Sequence, residues 1–393
     1  MHQTPVPDAR AQSSTDAPCS AGALPALSPA MLLPRLSPVE RWFPFDHSGV
    51  TYHYFARNGI YDLARQWNLE GKEVLFPAYF HGVELDALLA AGVRPSFFPV
   101  DDRMRVDSKE IVARIGPDTR AVYLIHYLGF PGPVREIAEI CRERKLLLIE
   151  DCALALLSRL DDQPLGTFGD AAAFCFYKTL PVPNGGALVL LKGEASHFPK
   201  VAPSLRTSLS YISASLVTQF QSCGNSLAAS LLRTATKVAR TLTTRTAAER
   251  VDVGSQNFDL TDANLAMSSV VHVLLRNQRY SEVVERRRRN FSILLDRLRK
   301  FTRPVFDRLP DGVCPLFYPL QVRDKQPVLE FLSSRGVEAV NFWSRNHRIL
   351  PEGRFPEVDH LRRSIVELPC HQDISPETTI QITEEVYRSQ HLL

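Results

Sequence analysis

The sequence predicts an α/β protein in which a large domain with a mostly parallel central sheet is followed by a smaller C-terminal α+β domain. The apolar run at residues 146–149 ends in two adjacent carboxylates, which is typical of a buried parallel strand. Strand-like and helix-like segments alternate between residues 74 and 144, as the units of a parallel sheet do. Residues 317–393 mix short strands and helices, as expected of a small second domain.

The composition fits this size and excludes several classes of partner. With 393 residues, of which 45% are hydrophobic, the chain can bury one large core and one small core. A net charge of +3 is too small to indicate a nucleic-acid partner. The seven cysteines are scattered, odd in number and without metal-ligand spacing, which predicts a reducing compartment and no metal site. We expect a cytoplasmic protein, because the sequence also lacks a bilayer-spanning run and a signal-peptide pattern.

Four regions follow from the pattern along the chain. Residues 1–39 are rich in Pro, Ala and Ser, which predicts a disordered tail. Residues 40–255 form the predicted large domain and residues 256–300 a region dominated by one long connecting helix from residue 260. Residues 301–393 form the predicted small domain.

A basic helical insert is predicted at about residues 200–250 of the large domain. The stretch 195–248 contains no Asp or Glu, but it carries several cations among apolar residues: Arg206, Arg233, Lys237, Arg240 and Arg245. Such a segment could contact a membrane face or a phosphorylated ligand. The many interleaved Ser and Thr residues instead favour helices packed on the body of the protein.

The elements of the large domain are predicted from apolar periodicity and turn residues. The first are a strand at 52–56, a turn at 57–59 and a helix at 60–67. The alternating units that follow are strands at 74–77, 95–100 and 121–125 and helices at 83–91, 108–115 and 133–144. A loop at 164–169 then leads into strands at 171–176 and 187–191.

Lys178 lies between two of these strands, after an apolar run and before a loop rich in Pro and Gly. Hydrophobic neighbours on both sides desolvate an amine and favour its neutral, nucleophilic form, which imine chemistry requires. The alternative is an ordinary exposed lysine in a turn.

Asp151 ends the apolar strand within the sequence IEDCA at residues 149–153. Ligands of parallel sheets bind at the carboxyl ends of the strands, so this carboxylate could pair with the N–H of a heteroaromatic ring. The alternative is a helix N-cap for the following segment.

Taken together, these motifs resemble a known enzyme family. Lys178 and its loop, IEDCA, GTFGD at residues 166–170 and GGA at residues 185–187 are similar, in order and rough spacing, to the DegT/StrS group of sugar aminotransferases. The likeness runs from about residue 54 to the end of the chain. It implies the fold type I architecture of pyridoxal phosphate-dependent transferases, with pyridoxal 5'-phosphate as the cofactor and a homodimer.

The resemblance also implies a reaction. Lys178 would hold the cofactor as an internal aldimine, and Asp151 would keep the pyridine nitrogen protonated. The amino group would pass from a donor, expected to be glutamate, to a keto sugar or a similar keto substrate, with a nucleotide sugar as one candidate.

Further binding residues are implied by position in the family pattern. Gly59 and Ile60 match the helix start that holds the cofactor phosphate. His81 matches the aromatic residue that stacks on the pyridine ring, and Tyr79 is the second choice. Asn257 matches an asparagine that reaches the phosphate of the neighbouring subunit, with a helix cap as its alternative.

The sequence departs from the family pattern at several positions. Cys175 stands where relatives have a phosphate-binding serine, so either Thr179 or backbone amides would take over that contact. Leu154 replaces Gln or His, and Asp259 replaces Arg. These departures leave open a lyase, dehydratase or acyltransferase on the same scaffold, or a family member without catalytic activity.

Overall fold

The computed structural model describes residues 19–33, 40–193, 198, 200–222, 230 and 258–393. Its strands in the large domain are, in chain order, β1 (Val50–His53), β2 (Glu73–Pro77), β3 (Arg94–Phe98), β4 (Thr119–Ile125), β5 (Leu147–Asp151), β6 (Arg159–Leu160), β7 (Gln163–Pro164), β8 (Ala171–Cys175) and β9 (Gly186–Leu190). Seven of them form the central sheet in the order β1-β9-β8-β5-β4-β2-β3, and β6 and β7 form a separate hairpin. The pairs within β3-β2-β4-β5-β8 are parallel, and β9 and β1 are added antiparallel. The predicted mostly parallel sheet is therefore confirmed.

Helices cover the sheet where apolar periodicity predicted them. The helices of the large domain and the connection are α1 (Ala56–Gln66), α2 (Val83–Ala90), α3 (Ser108–Val112), α4 (Val134–Arg144), α5 (Leu205–Ser222), α6 (Ser269–Arg276) and α7 (Tyr280–Leu298). α4 illustrates the principle, because Val134, Ile137 and Cys141 recur at helical spacing and all three are buried. It ends where Lys145 adopts a left-handed conformation with φ 55°.

The small domain is built on a second sheet. Its elements are β10 (Phe317–Gln321), α8 (Lys325–Ser334), β11 (Val340–Asn341), α9 (Pro356–Ser364), β12 (Ile365–Pro369) and α10 (Pro376–Arg388). The strands pair antiparallel in the order β10-β12-β11. Phe291 and Leu294 of α7 belong to the same buried cluster as Tyr318 of β10 and Ile382 of α10, so the connecting helix contributes to the small-domain core.

The connecting segment is not the single long helix predicted for residues 260–300. It comprises a short 3-10 turn at Leu260–Asp262, then α6 and α7, with a break at residues 277–279. Two side chains replace helical N–H groups at the break. Gln278 Nε2 donates to the carbonyl of Leu274 at 3.1 Å, and Tyr280 Oη donates to that of Leu275 at 2.8 Å. These bonds satisfy the last carbonyls of α6 and let the helix end there.

The disordered tail predicted for residues 1–39 does not hold for residues 19–33, which form an ordered arm on the folded body. The N–H of Ala21 donates to the carbonyl of Gly336 at 3.0 Å, and the N–H of Glu338 donates to the carbonyl of Ala21 at 2.9 Å. Leu27 is fully buried. The composition suggested disorder because it could not show that these apolar residues are buried against distant parts of the chain. Residues 1–18 and 34–39 of the predicted tail lie outside the described residues.

The basic insert can be compared with the prediction only in part. Residues 205–222 form α5, as a helical insert requires. The cations that motivated the prediction, Arg233, Lys237, Arg240 and Arg245, lie outside the described residues. Across the ranges that the structure describes, none of the helices combines the length and the apolar character that a membrane span needs.

Candidate active site

A cavity of about 280 Å³ lies between the carboxyl ends of the parallel strands and the small domain. Its large-domain wall includes Ala56, Arg57, Ile60, His81, Asp151, Leu154, Cys175 and Lys178. Its small-domain wall includes Phe317, Phe342, Trp343, Ser344, Arg345 and Glu367, and Leu24 of the N-terminal arm reaches the cavity too. The position at the strand ends is where open α/β sheets bind their ligands.

Lys178 enters this cavity from the turn that follows β8. It is half-buried and lines the cavity together with Asp151 and Cys175. No hydrogen bond or ion pair joins its Nζ to another residue within the described ranges. Lys178 is thus held near the buried carboxylate by its backbone and remains available to react.

The backbone geometry after the Lys178 loop requires glycine at residues 185 and 186. Gly185 has a φ of +120°, which side chains rarely adopt. A Cβ on Gly186 would lie 2.3 Å from the backbone nitrogen of Ala56, so only glycine lets β9 approach the start of α1. The GGA motif therefore brings the first turn of α1 beside the lysine loop.

Asp151 is buried at the end of β5, one strand away from β8. Its Oδ2 accepts a hydrogen bond from the Tyr123 hydroxyl at 2.7 Å, and its Oδ1 accepts one from the N–H of Ala153 at 2.8 Å. Burial raises the pKa of Asp151, and these two hydrogen bonds oppose the increase. The alternative role as a helix N-cap does not apply, because residues 152–158 form turns rather than a helix.

Glu150, the other carboxylate of the IEDCA motif, points to the opposite face of the sheet and is structural. Its two oxygens accept N–H hydrogen bonds from Gly166, Phe168 and Gly169 at 2.7 to 2.8 Å, and His126 Nε2 lies 3.1 Å from Oε2. The carboxylate thereby anchors the GTFGD loop that leads into β8. His126, Glu150 and Cys152 also lie close enough together to bind a metal ion. The backbone N–H groups already occupy Glu150, which favours a structural cluster.

The helix start predicted at Gly59 and Ile60 lies three residues earlier, at Ala56. The side chain of Asn58 caps this start, because its Oδ1 accepts the N–H of Phe55 at 3.1 Å. Gly59 is therefore the fourth residue of the helix, where a Cβ would lie 3.1 Å from that of Leu188 in β9, and it does not line the cavity, whereas Ile60 does. The first-turn N–H groups without helical acceptors belong to Ala56 and Arg57 instead.

Arg57 is a functional candidate that the sequence reasoning missed. It is half-buried at the first turn of α1, lines the cavity, and stacks over the Phe55 ring at 4.2 Å. It shares the cavity with His81 and Cys175, and its charge adds to the burial that lowers the pKa of His81. A cation placed at the positive end of a helix makes an anion site. An arginine beside a predicted helix start was the signal in the sequence.

His81 lines the cavity after β2, as predicted, whereas Tyr79 does not. Burial and the nearby cations lower the pKa of His81 to about 3, so its ring is neutral at physiological pH. Tyr79 is fully buried, and its ring packs against those of Tyr127 and Trp343. Of the two choices, only His81 could stack on a ligand in the cavity.

Cys175 also lines the cavity, at the end of β8. Burial raises the pKa of its thiol, although the Tyr177 hydroxyl and the N–H of Lys178 hydrogen-bond to the sulfur. Thr179 does not line the cavity, because its side chain is buried elsewhere and its carbonyl accepts bonds from Arg287 and Gln372. Of the two substitutes considered for the missing serine, the geometry favours the backbone amides, now joined by Arg57.

The other two departures from the family pattern, Leu154 and Asp259, lie in different surroundings. Leu154 lines the cavity and gives that wall an apolar surface. Asp259 is exposed and caps the turn at Leu260–Asp262, where its Oδ1 accepts the N–H of Thr261 at 2.8 Å. Asn257 lies outside the described residues.

The residues present fit the predicted cofactor. Pyridoxal phosphate needs an amine for its aldehyde, an acid for its ring nitrogen, a partner for its ring face and N–H donors for its phosphate. Lys178, Asp151 and His81 supply the first three from one cavity. The first turn of α1 and the Arg57 guanidinium supply donors for an anion.

Comparisons with known proteins point to one family. A family model described as the DegT/DnrJ/EryC1/StrS aminotransferase family matches residues 63–387. The dTDP-4-dehydro-2,3,6-trideoxy-D-glucose 4-aminotransferase of Saccharopolyspora spinosa is 40% identical over 130 residues, which are 32% of this chain and 34% of that protein. The chain thus aligns with about a third of the length of that curated relative.

Solved structures extend the likeness to the fold. The aminotransferase TlmJ from Streptoalloteichus hindustanus superposes with a TM-score of 0.62 at 23% identity, covering 87% of this chain and 86% of that chain. A putative sugar aminotransferase from Streptococcus pneumoniae in its PMP form gives a TM-score of 0.62 at 14% identity, with 87% and 88% coverage. At these identities the two structures establish a shared fold.

Proposed function

The chain belongs to the DegT/DnrJ/EryC1/StrS aminotransferase family, and from that membership we propose that it is a pyridoxal phosphate-dependent aminotransferase that passes an amino group from glutamate to a keto sugar. One observation carries the proposal: Lys178 and Asp151, from the ends of neighbouring strands, share one cavity closed by the small domain. A reactive amine and a buried acid in this arrangement suit the chemistry of this cofactor.

Each residue then has a defined task. Pyridoxal phosphate supplies an aldehyde that condenses with amines and a ring that takes up electrons from the substrate carbon. Lys178 would hold the aldehyde carbon and, once released as a free amine, would move the proton that leaves the substrate carbon. Asp151 would hold the proton on the ring nitrogen, and the neutral His81 ring would pack on the ring face.

The substrates follow from the walls of the cavity and from the relatives. Arg345 lines the cavity from an exposed position, which supports a donor with a carboxylate such as glutamate. The Saccharopolyspora relative is named for a keto sugar attached to a nucleotide. We extend that substrate class to this chain and take dTDP-4-dehydro-2,3,6-trideoxy-D-glucose as the first probe.

The function is tested by following the two half-reactions separately. Purified protein loaded with pyridoxal phosphate is expected to lose the visible absorbance of the aldehyde form when glutamate is added, and to regain it when the keto sugar is added. A lyase or acyltransferase would consume a substrate without this exchange, and a family member without activity would show neither change. Loss of absorbance without recovery on any keto sugar would contradict amino transfer to a sugar.

A second test concerns the phosphate site that we place at the start of α1. Arg57→Ala removes a cation and its hydrogen bonds, so we expect the dissociation constant for pyridoxal phosphate to rise about 10- to 100-fold. The rate at saturating cofactor should change little, because Arg57 is assigned to binding. An absorbance titration of the cofactor-free protein measures the constant.

The matched control is Arg65→Ala on the same helix. Arg65 stacks over the Tyr61 ring at 5.4 Å and does not line the cavity, so its removal should leave cofactor affinity unchanged. Equal affinities for the Arg57 variant and the wild type would remove Arg57 from the phosphate site.

A further inference from the structure

Glu367 is a buried carboxyl group that faces the active-site cavity without a partner. It lies in the middle of β12, the central strand of the small-domain sheet, opposite Pro319 and Val340. The side chain is 0% exposed, and neither oxygen has a hydrogen-bond partner among the described residues. It nevertheless lines the same cavity as Lys178 and Asp151. A polar group left in this state is costly to the fold, which suggests that a ligand completes it.

The neighbouring cations do not neutralise Glu367 in a structural ion pair. Lys325 is the nearest candidate on α8, but its Nζ donates to the carbonyl of Phe342 at 2.7 Å. Burial also lowers the pKa of Lys325 to about 7, which weakens it as a cation. Burial raises the pKa of Glu367 well above its ordinary value, although Lys178 and Lys325 oppose the increase. Burial therefore favours the protonated form of Glu367, which can donate one hydrogen bond and accept others.

The surroundings of Glu367 indicate the type of ligand. Phe317, Phe342 and Trp343 line the same wall, and the rings of Phe342 and Trp343 stack at 4.3 Å. Aromatic rings around a single hydrogen-bonding group are typical of sites for small cyclic ligands that have apolar faces and polar edges. A sugar ring has this character, because its C–H faces are apolar and its hydroxyl groups both donate and accept.

We propose that Glu367 binds a hydroxyl group of the keto sugar close to the reacting carbonyl, and that it thereby selects hydroxylated sugars over deoxy sugars. The proposal rests on the proposed function and specifies its substrate. Glu367 and Lys178 line the same cavity of about 280 Å³, so a hydroxyl bound at Glu367 is few bonds from the carbon that receives nitrogen. Glu367 contributes to specificity, whereas the chemistry stays with Lys178.

The proposal predicts a selective defect in one half-reaction. Glu367→Leu should raise the KM for a hydroxylated keto sugar about 10- to 100-fold, because it removes a hydrogen bond between the sugar hydroxyl and an acid group. The half-reaction with glutamate should proceed as in the wild type. Glu330→Leu, which replaces an exposed glutamate on α8, is the matched control and should leave both half-reactions unchanged.

A matched pair of sugars tests the contact itself. The probes are dTDP-4-dehydro-2,3,6-trideoxy-D-glucose and its counterpart that retains the 3-hydroxyl group. The wild type should prefer the hydroxylated sugar by about 10- to 100-fold in kcat/KM, and Glu367→Leu should show no preference. Glu367→Gln keeps a donor and an acceptor, so it should retain most of the preference.

The unfolding temperature of the variants distinguishes a structural role of Glu367 from a role in sugar binding. Leucine replaces a buried unpaired acid, so the cofactor-free Glu367→Leu protein should unfold at no lower temperature than the wild type. A lower unfolding temperature, an equal defect with glutamate, or an unchanged sugar preference in both variants would each overturn the proposal. A wild type that completes neither half-reaction would instead contradict the proposed function, so the two failures are distinguishable.

Discussion

Lys178→Ala is expected to abolish amino transfer while leaving the fold intact. Removal of a covalent catalytic group costs on the order of 10⁴- to 10⁶-fold in rate. The structural cost is small, because Lys178 is half-buried in a turn and its Nζ has no hydrogen bond to the described residues. Borohydride reduction of the loaded protein, followed by mass determination, should find no cofactor attached to the variant.

Lys192→Ala provides the control for this prediction. Lys192 follows the next strand, its side chain is 77% exposed, and it pairs with Asp170 at the surface, so its removal should change neither attachment nor rate. If the Lys178 variant still carried one reducible cofactor for each chain, another lysine would be the attachment site and the assignment would fail.

The same variant tests whether two subunits share the active site. We propose a homodimer in which Asn257 reaches the cofactor phosphate of the neighbouring subunit. Mixing the inactive Lys178→Ala and Asn257→Ala proteins should then restore part of the activity, because one site of each hybrid dimer keeps both native residues. No recovery after demonstrated subunit exchange, or a protein that remains monomeric, would contradict the shared site.

The positions of Lys178 and Asp151 could be predicted from the sequence because they depend on the local order of strands and turns. An apolar strand that ends in IED fixes which carboxylate lies at the strand tip, and the period of two along a strand sends Glu150 and Asp151 to opposite faces. Lys178 follows β8, the neighbour of β5 in the sheet, so its position at the same sheet edge could also be read from the order of the strands. Neither assignment required knowledge of distant contacts.

The residues that were missed depend on contacts between distant parts of the chain. The start of α1 is set by Asn58 and by the close approach of Gly186. The N–H groups without helical acceptors therefore belong to Ala56 and Arg57, and not to the predicted Gly59 and Ile60. Glu367 lies in the strand Ile365–Pro369, where alternation would place a polar residue towards solvent, and only the closure of the small domain over the sheet buries it. The order of residues 19–33 likewise depends on distant residues, such as Gly336 and Ser215.

Asp151→Asn is expected to keep the cofactor bound but to lower the rate on the order of 10³-fold. A neutral amide cannot hold the charge of a protonated ring nitrogen, and loss of one preorganised electrostatic partner costs about 10²- to 10³-fold in comparable sites. The amide can still accept the N–H of Ala153 and can donate to Tyr123, so the local structure should persist. Single-turnover kinetics with glutamate measures the effect, and a nearly normal rate would remove Asp151 from the mechanism.

Tyr123→Phe is the graded control, because it removes only one of the two hydrogen bonds that oppose the rise in the pKa of Asp151. With that bond gone the carboxyl holds its proton more tightly, and we expect the rate of the glutamate half-reaction to fall about tenfold or less.

The stability of the Asp151→Asn protein gives an independent check. Burial raises the pKa of Asp151 above its unfolded value, so the ionised carboxylate destabilises the cofactor-free protein as the pH rises to neutral. Asparagine removes this cost, and the cofactor-free Asp151→Asn protein should unfold at pH 7 at a temperature no lower than that of the wild type. A slow variant that also unfolded earlier would indicate a structural role for Asp151, whereas a slow variant of equal or greater stability supports the assignment to the ring nitrogen.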